Sequence, residues 1–184
     1  MTKRLRLSLV LCAATLLAAG SYTLDPTQTK VEFTLRDVLH TVHGTFQLTT
    51  GSLRLDAATG KASGELIVDA RTGDSGSKAR DKRMHASILE SDKFPQITFR
   101  PDRVEGKLAT DGRSQVQLHG IFAIHGTDHE ITVPATVDAA GGAYLVTATF
   151  EVPYVKWGMK NPSNLLLRVN DTVEITIHTT ARPQ

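Results

Sequence analysis

Apolar and polar residues alternate with a period of two along nearly the whole chain, and that spacing commits it to strands with one buried face. Val31, Phe33 and Leu35 share one face of a first strand. Val42, Phe46 and Leu48 mark the next, and Leu53 and Leu55 follow the Thr50-Gly51 break. Asp56 to Gly60 reads as a turn into a strand over 62–69, and Gln96–Glu105 carries Ile97 and Phe99 on one side. Val116, Leu118, Phe122 and Ile124 form the longest run, in which Gly120 permits a bulge or sharp bend. Ile131, Val133, Ala135 and Val137 come after a His125-Gly126-Thr127-Asp128 turn. Gly141-Gly142 is a hairpin signal leading into Tyr144, Val146, Ala148, Phe150 and Val152, and Val173, Ile175 and Ile177 close the chain. Eight or nine strands joined by short turns, without regular intervening helices, predict one antiparallel all-β domain.

One stretch breaks the pattern. Residues 80–91 read as a short helix with Met84, Ile88 and Leu89 on an apolar side and Lys78, Arg80, Lys82 and Arg83 as a cationic cluster. A lone helix in an antiparallel sheet is suited to closing one end of a barrel. With the bend-permitting Gly120 it favours a barrel over a sandwich, and a barrel of about eight strands can hold one small ligand. The pattern leaves open whether the interior is filled or hollow.

The first twenty residues stand apart. Lys3, Arg4 and Arg6 precede a short apolar run from Leu7 to Leu17, and Ala18-Ala19-Gly20 supplies the small residues of a cleavage site. The run is too short for a stable membrane span, so it predicts a removable secretory signal over 1–20 and a mature domain over 21–184. Cys12 lies inside the apolar run rather than at the cleavage point, which argues against a lipoprotein. Removing three cations from the 21 Lys and Arg leaves 18 against 19 Asp and Glu, so the chain's +2 becomes −1 and nucleic acid is not an expected partner. The one Cys leaves with the signal, and the mature chain has no disulfide or thiolate metal site.

Motifs with chemical potential are weak. Gly73-Asp74-Ser75-Gly76 looks like the nucleophile loop of a chymotrypsin-like protease, but Ser77 replaces the next glycine and no base segment lies upstream. It reads better as the approach to a helix, with Asp74, Ser75 or Ser77 as its cap. His40 and His43, and His125 and His129, fall in strand-and-turn sequence without carboxylate or Cys partners at diagnostic spacing, so no metal is expected. Lys78, Lys82 and Arg83 read as a solvated face. The stretch 154–163, with Trp157 and Met159 followed by Leu165-Leu166-Leu167, concentrates apolar bulk in a loop broken by Gly158 and Pro162. Such a loop must pack as a plug or a lid.

Together these segments resemble the YceI-like family of secreted bacterial proteins. The resemblance rests on Tyr22-Thr23-Leu24-Asp25-Pro26, Val31 to Phe33, His43-Gly44-Thr45-Phe46, Arg80-Asp81, Met84-His85 and Phe94-Pro95-Gln96-Ile97-Thr98-Phe99. It continues through Gly120 to Gly126, Trp157-Gly158-Met159 and Val169-Asn170-Asp171. It implies a lipocalin-like antiparallel β-barrel with a long apolar interior that binds polyisoprenoid lipids, isoprenoid quinones or other long-chain amphiphiles, and it brings no catalytic residues. The expected pocket comprises Val31, Phe33, Phe46, Leu48, Met84, Ile88, Leu89, Phe99, Phe122, Trp157 and Met159, with Arg80 as the headgroup contact. The expected role is a periplasmic or secreted carrier with a lipid ligand and no further cofactor, and a homodimer is left open. Two alternatives stand beside it. One is a filled-core scaffold or protein-interaction module. The other is an enzyme acting on a lipid or quinone, for which no inward acid, base or nucleophile stands out.

Overall fold

A computed structural model describes residues 20–37, 40–163 and 168–184. The expected secretory signal up to residue 19, with Cys12, and the Leu165-Leu166-Leu167 run lie outside the described residues. The period-two segments become nine strands: β1 (Gly20–Leu24), β2 (Lys30–Arg36), β3 (Thr41–Leu55), β4 (Ala62–Asp74), β5 (Gln96–Glu105), β6 (Gly112–Ile124), β7 (Thr127–Ala140), β8 (Ala143–Val152) and β9 (Val173–Pro183). From β2 onward each strand pairs antiparallel with the next, and β9 returns to pair with β2. The ring is closed, as the family resemblance implies.

Nine strands fill eight positions because β1 and β2 are two halves of one. Both lie between β3 and β9, β1 against Gly51–Leu55 and Ala181–Pro183, β2 against Thr41–Phe46 and Glu174–His178. The break between them is a helical turn at Pro26–Gln28, where Asp25 accepts hydrogen bonds from the Thr27 N–H (2.9 Å) and hydroxyl (2.7 Å). A short oxygen-bearing side chain before a first-turn Pro is the ordinary chemistry of such a start.

The bend expected at Gly120 is present, with the extra residue on the partner strand. Gly120 opposes Pro101 and His119 opposes Arg103, so Asp102 is the bulge. A Cβ at Gly120 would collide with the Arg100 carbonyl, which is why β5 can press so close there. Strand β4 extends beyond residue 69 to Asp74 across a larger irregularity, since Gln47 pairs with Asp69 but Thr45 with Asp74. That irregularity lies where the covering segment begins.

The expected helix is shorter and less regular than the pattern suggests. It consists of α1 (Lys78–Arg83) followed by a widened turn over Met84–Ile88, closed by Leu89 N–H bonding to Met84 O at 2.9 Å. The cap also differs. Ser77 occupies the N-cap position without a side-chain bond, while the Asp81 carboxylate reaches back to accept from the Ser75 N–H (2.9 Å) and hydroxyl. Among the described residues no helix is long and apolar enough to cross a membrane.

Candidate ligand-binding cavity

Inward side chains do not fill the barrel. Val116, Val133, Ala135, Val137 and Ala148 are buried but small, and the wall they form leaves space along the axis. Two cavities result. The larger, about 510 Å³, lies under α1 and the loop after β8, and the smaller, about 150 Å³, lies towards the opposite end. The larger falls in the usual size range of small-molecule sites. Val31, Val68, Ile97, Phe122, Phe150 and Ile177 face both, so the two spaces abut at a waist. At that waist Phe122 and Phe150 meet edge to face with ring centroids 5.9 Å apart.

The structure gathers most of the expected pocket residues around this space. Val31, Phe33, Phe46, Met84, Ile88, Leu89, Phe122 and Met159 line the larger cavity, and Val31, Leu48, Phe99 and Phe122 line the smaller. Trp157 lines neither. Its indole stacks on His129, with centroids 4.0 Å apart and planes within 7°, and leans on Phe122 at 5.9 Å. The register explains this partner, because His129 pairs with Phe122 and so points to the same face of the sheet. Burial pushes the His129 imidazole below its ordinary pKa, partly offset by Asp128, and its Nε2 has no hydrogen-bond partner.

Charged groups on the two linings are confined to the covered end. Ser75, Ser77, Arg80, Arg83 and Asp37 face the larger cavity there. Arg80 donates from Nε to Ser75 Oγ and from Nη2 to Ser75 O, both at 2.8 Å, so part of its guanidinium fork is engaged in holding the loop. Burial tends to raise the Asp81 carboxyl, but the Ser75 hydrogen bonds, with Arg80 and His85, hold it below the usual range. Arg83, read from sequence as solvated, is exposed. It also borders the cavity beside Arg80, because residues three apart share a helix face. Ser75 is 8% exposed and committed to Asp81 and Arg80 rather than to a His.

His85 pins the covering segment to the wall. Its Nε2–H donates to the Gly73 carbonyl (2.9 Å), which leaves Nδ1 to accept from the Ser91 hydroxyl (3.1 Å). The loop after β8 is held from the other side, where the Tyr154 hydroxyl donates to Asn170 O at 2.6 Å. Burial, then Asp171, pushes that hydroxyl up to about 12. The other His residues are dispersed: His43 meets Thr34, His125 meets Glu90 and His119 lies between Asp102 and Glu130. Among the described residues no group of three His, Cys, Asp or Glu side chains is placed to hold a metal.

Sequence reading reached the lower cavity only through Val31, Leu48, Phe99 and Phe122 and missed Tyr22, Leu24, Leu55, Val104 and Tyr144, which also line it. Alternation points each of these inward, but the space between them depends on how several strands face one another.

A family model for the YceI-like domain matches residues 22–181. Among solved structures, the chain is similar to BcnA of Burkholderia cenocepacia, with TM-score 0.72 and 18% identity over 85% of this chain and 98% of that one. It is also similar to a polyisoprenoid binding domain from Saccharophagus degradans implicated in plant cell wall breakdown, with TM-score 0.68 and 17% identity over 89% and 98%. A Campylobacter jejuni YceI protein aligns with TM-score 0.56 and 12% identity over 100% and 90%. No curated protein matches the chain.

Proposed function

The chain belongs to the YceI-like family, and we propose that it is an exported carrier that holds a long-chain isoprenoid, such as a polyprenyl chain or isoprenoid quinone, or a similar amphiphilic lipid, inside its barrel. The observation that carries this reading is the pair of abutting apolar cavities whose polar lining is concentrated at one end. The similar Saccharophagus degradans domain, described as polyisoprenoid binding, supports the ligand class. A tail would lie along the axis with its head near Arg80 and Arg83, where guanidinium groups suit an anionic or carbonyl-bearing headgroup.

Burying a methylene contributes about 0.8 kcal/mol, so two prenyl units, about ten carbons, offer roughly 8 kcal/mol before the cost of ordering the chain. Such a site grips by length and needs little polar chemistry. Two groups near the mouth that could do chemistry are occupied with holding the cover, Ser75 by Asp81 and Arg80, and His85 by Gly73 and Ser91. That favours holding a ligand over transforming it. Export rests on the leader read over residues 1–20.

One sample tests both parts. Protein collected from outside the cytoplasm of its own host should begin near Ser21 by N-terminal sequencing. Native mass spectrometry of the same sample should show an added lipid mass that organic extraction removes. An intact leader overturns the export reading. A barrel that carries no lipid, and whose melting temperature does not rise with added prenyl alcohols, quinones or fatty amphiphiles, overturns the carrier reading.

A further inference from the structure

Two tyrosines line the smaller cavity. Tyr22 comes from β1 and Tyr144 from β8, the strands on either side of the end of β9, and their rings meet edge to face with centroids 5.5 Å apart. Both rings pack against the buried cluster of Leu24, Leu48 and Ala181, and Leu108 from the β5–β6 connection lies on the same lining. Ala181 pairs with Leu24 on one side and Tyr144 on the other, so a methyl stands where a larger side chain would compete with the rings.

Polar atoms at this end are already engaged. The Thr179 hydroxyl shares a 2.6 Å hydrogen bond with Thr29, and the Tyr22 hydroxyl is hydrogen-bonded to Tyr144. Each has its partner within the wall, so a polar group at the tip of a tail would break a bond rather than gain one.

Resting on the carrier reading above, we propose that the Tyr22–Tyr144 pair is the stop of a chain-length ruler, and that the ligand is a single-headed amphiphile whose far end is apolar. Val173 lines the larger cavity and Ala181 the smaller, on the same strand. The eight-residue step between them spans about 27 Å of strand, or about 20 Å along the axis of a barrel with ordinary strand tilt. An extended carbon chain advances about 1.25 Å per atom, so this length accepts about sixteen main-chain carbons, or about four prenyl units. Affinity therefore climbs with each unit until the tip meets the tyrosines, and further units gain nothing because they remain outside.

The test titrates mature protein with prenyl alcohols of increasing length by calorimetry. Wild type should gain at least about tenfold in affinity per added unit below the limit, then level off. Tyr144→Ala should carry the rise to a longer chain, while Tyr144→Phe, which keeps the ring, should keep the wild-type limit. Tyr22→Leu gives the same comparison from the other ring should Tyr144→Ala not fold. A hydroxyl at the far end of a four-unit chain should weaken binding at least about tenfold. Chains that bind with the same limit in wild type and the ring-removing variants overturn the ruler alone, as does a far hydroxyl that costs nothing. Failure of every chain to bind wild type overturns the carrier reading with it.

Discussion

Single positions along β2 show how strictly the facing rule operates. Phe33 is 6% exposed, lies over Gly44 on β3 and tilts against Phe46 with centroids 5.4 Å apart. A Cβ at Gly44 would strike the Phe33 ring and the Asp74 carbonyl, so the glycine makes room for the aromatic. Its neighbour Glu32 points the other way and pairs with Lys30 at 2.8 Å on the outer wall. Phe33→Ala is therefore expected to cost about 3 kcal/mol, the low end for a buried aromatic because the cavity beside it already lacks partner atoms. Glu32→Ala should cost at most about 1 kcal/mol, as surface ion pairs do. Urea unfolding of the two variants checks the contrast, and equal losses would contradict this facing.

At the scale of elements, the cover is anchored by few bonds, and His85 makes two of them. His85→Ala would leave the Gly73 carbonyl without this partner, along with the Ser91 hydroxyl in a residue only 2% exposed. The expected loss is about 1–3 kcal/mol, with faster amide exchange across residues 78–91 than across the barrel strands. Unchanged exchange in the cover would show that other contacts hold it. The strands themselves were legible, because alternation of Val31 with Phe33 or Val133 with Ala135 has one physical reading. The hairpin at Gly141-Gly142 was equally plain. The widened turn at Met84–Ile88 was not, since an i→i+5 bond has no residue code of its own. Nor was the fusion of β1 with β2 into one position, which depends on what both halves pair with. The candidate site was legible as an inward apolar face, but not as a volume. Trp157 shows the limit: its bulk announced a covered residue, while its cover, His129, followed from a pairing register between distant segments.

For the molecule as a whole, two histidines should shape stability against pH from opposite sides. Hydrogen bonding to Asp102, then to Glu130, holds His119 above its ordinary pKa against a modest effect of burial. Its contribution is complete below about 6.5 and fades as pH climbs through the raised folded value. Burial holds His129 below its ordinary pKa, so its contribution is complete above about 6.5 and fades as pH falls through the depressed value. Melting temperature is expected to peak between these windows. His119→Gln should flatten the alkaline limb and His129→Phe the acid limb, and limbs that stay in place would assign the dependence to other groups. The pairing of β9 with β1 and β2 has a further consequence, one of order in time. Hairpins form between neighbours, but this join links residues 20–36 to residues 173–183 and must close nearly the whole chain into a loop. Until the last strand arrives there is only an open sheet with two unpaired edges and its inner face wet. A chain emerging from synthesis thus stays open until β9 has formed, and only the completed ring encloses the cavity.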